Sequence, residues 1–189
     1  MSQKEDRRVR KTKKAMTEAL AKLMLEKPLN SISVREISEL ADINRGTFYL
    51  HYRDVYDMVD TLRSEMFEQF DEIVEKHSGT KNPNEIFPLL VELYNLLAEN
   101  AKLVHVLIGK NGDAGFVDKL KEVIREKCFA DIQSRLNTKN ISEYKYLCNY
   151  IVYGCIGICG TWLEDGMKET PNEMAEITGR IILMGNEYK

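Results

Sequence analysis

The stretch 33–53, SVREISELADINRGTFYLHYR, holds the densest set of side chains that could contact a phosphate-lined groove. Arg45 can donate two hydrogen bonds to a guanine edge, and Gly46 lets the backbone approach DNA closely. Leu50 is placed by helical spacing to touch a thymine methyl group. The side chains that can donate hydrogen bonds to phosphates are Thr47, Tyr49, His51 and Arg53. These residue types, so close together, predict a DNA-binding site.

Each of these side chains also has an ordinary structural interpretation. Phe48 and Tyr52 are expected to be core aromatics. Arg45 could be no more than a surface charge. For Tyr49 and His51 we prefer contact with DNA.

Local signals divide the stretch into two helices joined by a turn. Ser33 and Glu36 form a capping box, in which the hydroxyl accepts from the amide three residues later and the carboxylate reaches back. Asp42 lies in the turn, where a left-handed backbone is often needed and Asp tolerates it. Asn44 can cap the second helix, which is predicted to end near residue 52. The stretch is therefore a predicted helix-turn-helix.

Charge is distributed unevenly along the 189 residues. Residues 1–53 hold 12 Lys and Arg against 7 Asp and Glu, whereas residues 54–189 hold 15 against 23, within a net charge of −3. Seven of the 12 bases lie in 4–14. A basic segment on an acidic body indicates an anionic partner for that segment, and Arg10 and Lys11 are candidate phosphate contacts. A solvated tail would have the same composition.

Helical spacing of apolar residues extends over the rest of the chain, and no strand pattern is present. The predicted helices outside the helix-turn-helix are 9–25, 54–76, 82–100, 101–108, 116–136, 142–164 and 170–186. We expect an all-α fold with a DNA-binding domain over 1–53, whose tail 1–8 is flexible, and a larger helical domain over 54–189.

The stretch 146–163 contains 18 residues without a charge. That length is close to what a membrane span needs, but an entirely apolar helix can also be buried between protein layers, and we expect no membrane insertion. Gly154, Gly157 and Gly160 form a ridge of small residues that lets another helix approach. The approaching helix could belong to the same subunit or to a second one.

Side chains for metal or catalytic chemistry are not grouped in the sequence. The four Cys form no C-x-x-C pair, and His105 has no partner at ligand spacing. No nucleophile–base set or acid pair stands out. We therefore predict no metal, no cofactor and no enzyme activity, and the charged N-terminus, which lacks the features of a signal peptide, favours a reducing cytoplasm.

The motif RGTFYLHY, preceded by VREISELADIN, resembles the DNA-binding domain of TetR-type (TetR/AcrR) bacterial transcriptional regulators over residues 9–60. The later segments FPLLVELYNLLAENAKLVHVLIGKNGDAGF and GTWLEDGMKETPNEMAEI resemble a C-terminal domain common in Gram-positive members. The resemblance implies an all-helical homodimer with three N-terminal helices for DNA and a C-terminal body for ligand and dimer contacts. Two positions depart from the pattern: Asp42 replaces a usual Gly, and Val55 replaces a Lys that holds phosphate.

Carried over by position, the resemblance implies a role for each site residue. Arg45 and Gly46 would face bases with Leu50 nearby, and Ser33 would contact phosphate at the start of its helix. The residues implied to hold the DNA backbone are Asn44, Thr47, Tyr49 and His51, and Arg53 or the basic tail would replace the missing Lys at 55.

The resemblance also implies a four-helix dimer bundle and a ligand pocket in the C-terminal body. The expected interface residues are Gly154, Cys155, Gly157, Ile158, Ile177 and Ile181. The expected pocket residues are Phe67, Phe70, Phe87, Tyr94, His105, Phe116 and Trp162, each of which could instead be ordinary core.

The expected function is that of a homodimeric transcriptional repressor, released from a palindromic operator in double-stranded DNA by a small apolar or aromatic effector. The alternative is a co-regulator or nucleoid-linked factor of the same fold that depends on a protein partner and binds no small molecule. A membrane-attached protein and an enzyme are the less favoured classes.

Overall fold

A computed structural model describes residues 3–77, 86–108, 115–122, 125 and 141–184. The helices are α1 (Gln3–Glu26), α2 (Val34–Leu40), α3 (Arg45–Tyr49), α4 (Val55–Lys76), α5 (Ile86–Glu99), α6 (Ala101–Ile108), α7 (115–122), α8 (Ile141–Glu164) and α9 (Pro171–Met184). A 3-10 turn, Leu29–Ser31, links α1 to α2. No strand occurs among the described residues, and the all-α prediction is confirmed.

Helix ends differ from the predictions where no cap marks them. α1 begins at Gln3, before the predicted start at 9 and within the tail predicted to be flexible, because apolar spacing records only the buried part of a helix. α3 ends at Tyr49 and not near 52. The predicted start of α5 at 82, the loop after α6, most of 116–136 and the end of α9 at 186 lie outside the described residues.

Capped starts agree closely with the sequence. Asp54 accepts a hydrogen bond from the backbone N–H of Asp57 at 2.8 Å and begins α4. Thr170 and Glu173 form a capping box before α9, with the Thr170 N–H donating to Glu173 Oε2 at 2.7 Å. Such caps are visible in sequence because the hydrogen bonds join residues only three apart.

The first four helices share a buried cluster. Met16 of α1, Ile37 of α2, Phe48 of α3 and Met58 of α4 are fully buried in it. The burial of Phe48 and of Tyr52 confirms their prediction as core aromatics. Lys13 Nζ donates to Glu65 Oε1 at 2.8 Å and adds a polar contact between α1 and α4.

The same cluster continues into the C-terminal helices, so the buried core crosses the predicted domain boundary at 53/54. Tyr94 of α5 and Thr178 of α9 are both buried, and their hydroxyls share a hydrogen bond of 2.6 Å. Trp162 of α8 packs edge-on to Tyr94, with ring centroids 5.3 Å apart, and donates to the carbonyl of Glu169. Tyr94 therefore joins α5 to both α8 and α9.

Two buried tyrosines, Tyr52 and Tyr94, differ in whether the hydroxyl has a hydrogen-bond partner, and measurements of the free energy of unfolding can detect this difference. The Tyr52 hydroxyl is buried without a hydrogen-bond partner among the described residues, and burial raises its pKa to about 12. Tyr52→Phe should leave the free energy of unfolding unchanged or raise it by up to about 1–3 kcal/mol, because a buried unpaired hydroxyl is unfavourable.

Tyr94→Phe is the matched control, because it removes the same atom from a hydrogen-bonded ring. It should lower the free energy of unfolding by about 1–3 kcal/mol, since it leaves the buried Thr178 hydroxyl without its partner. Chemical denaturation followed by circular dichroism measures both. Equal losses for the two variants would show that the Tyr52 hydroxyl is paired in solution.

Candidate nucleic-acid interface

The start of α2 is closed by three connected polar side chains. The Ser33 hydroxyl donates to Glu36 Oε2 at 2.7 Å and accepts from the Glu36 N–H at 3.3 Å, while Lys27 donates to Glu36 Oε1. The Lys27 and Ser33 hydrogen bonds lower the pKa of Glu36 to about 2. The predicted capping box is present. Ser33, predicted to contact phosphate, uses its hydroxyl proton within this box, so a phosphate would have to compete with Glu36 for it.

The turn between α2 and α3 has the geometry expected of it. Asp42 adopts a φ of 51°, the left-handed conformation that Asp tolerates better than most residues. The Ile43 N–H donates to the Ser38 carbonyl at 3.0 Å and closes the turn. Asn44 Oδ1 accepts from the Gly46 N–H at 2.8 Å and caps α3. The Asn44 amide NH₂ is left to face an external acceptor.

Gly46 lies directly beside the Asn44 cap of α3. A Cβ atom at this position would lie 3.4 Å from Asn44 Oδ1. That distance is close to ordinary van der Waals contact, so a side chain here would lie against the cap and add bulk to the N-terminal end of α3. Because Gly46 has no side chain, the backbone at the N-terminal end of α3 stays accessible to a partner as large as a DNA duplex.

The side chains of α3 and of the residues that follow it differ sharply in exposure. Phe48 is 0% exposed and Tyr52 is 2% exposed, whereas Tyr49 and Leu50 are 58% and 81% exposed. The Tyr49 ring packs edge-on to Phe48, with centroids 5.7 Å apart, so its position is linked to the core. Arg45 and Gly46 are exposed on the same short helix, and Thr47 and His51 are half-buried. The structure thus leaves Arg45, Gly46, Tyr49 and Leu50 exposed around the buried Phe48, whereas Thr47 and His51 are partly covered.

An exposed arginine follows α3 and is held by the first turn of α4. Arg53 Nε and Nη2 donate to Asp57 Oδ1 at 3.0 and 2.7 Å, and the Arg53 backbone N–H donates to Asp57 Oδ2 at 2.8 Å. These hydrogen bonds from Arg53 lower the pKa of Asp57. Val55, which stands where the resemblance implies a Lys, is buried. Sequence analysis missed Asp57, although its i,i+4 spacing from Arg53 was a usable signal.

The basic segment at the N-terminus is part of α1. Arg7, Lys11 and Lys14 are exposed at spacings of four and three residues, which places them on one side of the helix. Arg10 is exposed beside them, and Lys13 is turned toward Glu65. The bases therefore form a helical stripe, continuous with the helix that packs under the helix-turn-helix.

Among the predicted pocket residues, the structure brings together two aromatic pairs. Phe67 and Phe116 have ring centroids 5.0 Å apart, and Tyr94 contacts Trp162 as described above. Phe70 is half-buried and Phe87 is 38% exposed, so Phe87 lies at the surface. The side chain of His105 is outside the described residues.

The predicted interface residues lie on α8 and α9, where Gly157 and Ile181 are exposed and the other four are half-buried. A Cβ atom added at Gly154, Gly157 or Gly160 would meet nothing within 4 Å in the part of the chain that the structure describes. Cys155, Ile158 and Ile177 are half-buried, with Ile158 and Ile177 packed against the core, and Ile181 is exposed. Packing of the ridge within one subunit, the alternative raised from the sequence, does not occur among the described residues.

Three exposed tyrosines extend the ridge and were not singled out from the sequence. Tyr146, Tyr150 and Tyr153 are exposed at spacings of four and three on the same side of α8 as Gly157. Within the described residues one helix, 145–164, is long and apolar enough to cross a membrane, and only 28% of its apolar window is buried. Within the described part of the chain, α8 therefore keeps apolar side chains exposed, although Lys121 of α7 lies over the Tyr153 ring at 4.7 Å.

Comparison with known proteins agrees with this arrangement. A TetR-type family model, described as the transcriptional regulator C-terminal region, matches residues 84–183, more than half of the chain. The uncharacterized HTH-type transcriptional regulator YxbF of Bacillus subtilis is 25% identical over 177 residues, covering 90% of this chain and 44% of that protein. The chain therefore spans less than half the length of this curated relative.

Solved structures show the same fold at low sequence identity. The fatty acid degradation regulator FadR from Bacillus halodurans superposes with a TM-score of 0.69 at 14% identity, covering 94% of this chain and 97% of that one. FadR from Bacillus subtilis, in complex with stearoyl-CoA, gives 0.67 at 16% identity, with 93% and 97% covered. The family model over residues 84–183 identifies the class as a transcriptional regulator. The chain belongs to the TetR family.

The bonding of Glu36 predicts a specific response to acid. Its pKa is about 2 in the folded protein against an ordinary 4.5, so its charged form stabilises the fold above about pH 4.5, and this contribution is lost as the pH falls toward 2. Glu36→Gln should lower the thermal unfolding midpoint near neutral pH and flatten its fall across that window, as followed by circular dichroism.

Glu39→Gln is the matched control, because it removes a carboxylate from the same helix whose partner is the exposed Arg35. It should leave the acid dependence of the unfolding midpoint close to that of the wild-type protein. Parallel acid curves for wild type and Glu36→Gln would show that Glu36 is not held in its charged form by Lys27 and Ser33.

Proposed function

We propose that this protein is a sequence-specific, double-stranded-DNA-binding regulator that acts as a homodimeric repressor in the cytoplasm. The observation that carries the proposal is the two-sided character of α3. Phe48 is fully buried, while the neighbouring Arg45, Gly46 and Tyr49 are exposed. A rigidly held short helix with donors at its N-terminal end suits entry into a major groove.

The contacts sort into two groups by chemistry. Arg45 can read a guanine edge through two donors, and Leu50 offers an apolar contact to a thymine methyl group, so both would contribute base preference. Tyr49, His51, Arg53 and the α1 stripe can donate to phosphates, which positions the protein without reading sequence. The phosphate contacts should make affinity strongly dependent on salt concentration.

The proposed dimer is supported by the uncovered surface of α8 and α9. The glycine ridge has no close neighbour among the described residues, the tyrosines continue it, and Ile181 is exposed on α9. Two copies related by a twofold axis would bury these surfaces against each other and present two copies of α3. A twofold protein dimer then predicts a palindromic operator. Occupancy of an operator at a promoter would block transcription, which is the basis for proposing repression.

Selection of duplexes from a random pool tests DNA binding and symmetry together. We expect recovered sequences to be palindromic and binding to weaken steeply as salt is raised. Arg45→Ala should weaken binding to the selected palindrome by about 1–3 kcal/mol and relax base preference, whereas Tyr49→Phe should weaken selected and random duplexes equally.

Lys76→Ala is a suitable control, because Lys76 is an exposed base in the last turn of α4, roughly 30 Å along that helix from its start beside α3. It should leave affinity for both duplexes nearly unchanged. Recovery of no enriched sequence, or of sequences without twofold symmetry, would contradict the proposal.

The proposed effector is a small apolar or aromatic molecule bound among the C-terminal helices. Phe67 and Phe116 pack together at the junction of α4 and α7, and Trp162 lies against Tyr94 between α5 and α8. A structurally similar regulator was solved with stearoyl-CoA, an apolar chain on a polar carrier. An effector that binds one helix arrangement better than another would shift the spacing of the two α3 helices and release DNA.

Trp162, the single tryptophan of the chain, supplies an intrinsic signal for this step. Stearoyl-CoA, as an aliphatic probe, or 1-naphthol, as an aromatic probe, should change its emission and displace the selected palindrome in a fluorescence-anisotropy assay. Coenzyme A and phosphate are the controls, because neither carries the apolar group of the two probes. Failure of both apolar probes to release DNA would contradict an apolar or aromatic effector.

A further inference from the structure

The Asp57 carboxylate is shared between the backbone and the side chain of Arg53. One oxygen, Oδ2, accepts from the Arg53 backbone N–H, and the other, Oδ1, accepts from both Nε and Nη2 of the guanidinium. The Asp57 backbone N–H is in turn held by Asp54 Oδ1. The carboxylate therefore fixes both ends of Arg53 relative to the first turn of α4.

This pairing occupies only one edge of the guanidinium. Arginine carries five N–H groups in a planar fork, and the two that Asp57 accepts lie on the Nε–Nη2 edge. The other edge, formed by Nη1 and the second Nη2 hydrogen, keeps the geometry that binds two phosphate oxygens at once. The Arg53 side chain is 86% exposed although it is paired, so this edge faces solvent.

The position of Arg53 in the chain makes its orientation important. Between Arg45 and Arg63 it is the single Arg or Lys residue. Val55 is buried and carries no charge, so the N-terminal turn of α4 has no other cation of its own. Within 46–62, Arg53 is therefore the side chain with a permanent positive charge that can neutralise a phosphate lying against the end of α3 and the start of α4.

We propose that Asp57 is a positioning residue for DNA binding, which holds Arg53 so that its free guanidinium edge is presented to a phosphate. The inference rests on the proposed function, because it assumes that this surface binds DNA. An unheld arginine loses the freedom of several side-chain bonds when it binds, and a pre-oriented one has already lost it. Asp57 thereby strengthens binding to an anion although it is itself an anion.

The effect of removing Asp57 distinguishes a positioning role from simple repulsion between its charge and a phosphate. If Asp57 acted only through its charge, removing it would reduce repulsion of phosphate and tighten binding. If it positions Arg53, removing it should weaken binding, and only while Arg53 is present. The two explanations therefore differ in sign, and the dependence on Arg53 separates positioning from a general loss of the α4 cap.

The test measures affinity of the full chain for the selected palindrome and for a random duplex of equal length, at several salt concentrations. Asp57→Asn should weaken binding to both duplexes by about threefold to tenfold, the range of one net hydrogen bond. Arg53→Gln should weaken both further and reduce the slope of log affinity against log salt by about 0.9 for each subunit. In the Arg53→Gln background, Asp57→Asn should change affinity by less than about twofold.

Two further variants complete the design. Asp60→Asn removes an equal charge from another exposed ion pair of α4, that with Arg63, and should leave affinity the same or slightly tighter. Asp57→Glu keeps the carboxylate and should recover much of the binding lost in Asp57→Asn. Thermal unfolding of each variant shows whether the fold is retained.

The outcomes separate this inference from the function on which it rests. If the wild-type protein binds neither duplex, the proposed function and the positioning role of Asp57 are both wrong. If wild type binds but Asp57→Asn tightens binding, or weakens it equally with and without Arg53, the positioning role of Asp57 is wrong while DNA binding stands. Weakening that disappears in the Arg53→Gln background supports the role.

Discussion

The short helix α3 keeps its orientation because Phe48 is buried in the core shared by α1, α2 and α4. Arg45–Tyr49 contains five residues, which is too few to form a stable helix by its own hydrogen bonds. Burial of Phe48, together with that of Tyr52, supplies the missing stability. Since one side of the helix is buried, the other must face outward, and the exposure of Tyr49 and Leu50 follows from the same contact. The surface available to a partner is therefore a consequence of the packing beneath it.

Helix α4 connects this surface to the rest of the molecule. Its first turn holds Arg53 through Asp57, its inner side seals the N-terminal core, and its last turn pairs with α5 through Lys76 and Glu92. Tyr94 then links α5 to α9 through Thr178. A continuous series of packed and hydrogen-bonded residues thus runs from α8 and α9 to α3. Such continuity would be the physical basis for the proposed coupling between a C-terminal effector and DNA.

Features that depend on neighbours in sequence were predictable, and features that depend on distant residues were not. The capping box of Ser33 and Glu36, the left-handed Asp42 and the Asn44 cap all follow from residues within four positions of each other. The start of α1 was misplaced because exposed helical turns have no apolar spacing. Whether Lys13 would turn toward Glu65, 52 residues away, could not be read from composition. The sequence predicts a phosphate contact for the Ser33 hydroxyl, whereas the structure shows this hydroxyl bonded to Glu36.

The sequence alone determined the helix-turn-helix, the all-α class and the identity of the side chains that face outward on α3, because helical periodicity and local caps are properties of short segments. Tertiary structure decided which of those side chains are already engaged. It turned Lys13 away from the basic stripe and left the glycine ridge of α8 without a close neighbour among the described residues. These outcomes required the whole fold, since each depends on where separate helices come to lie against one another and which polar groups then find partners.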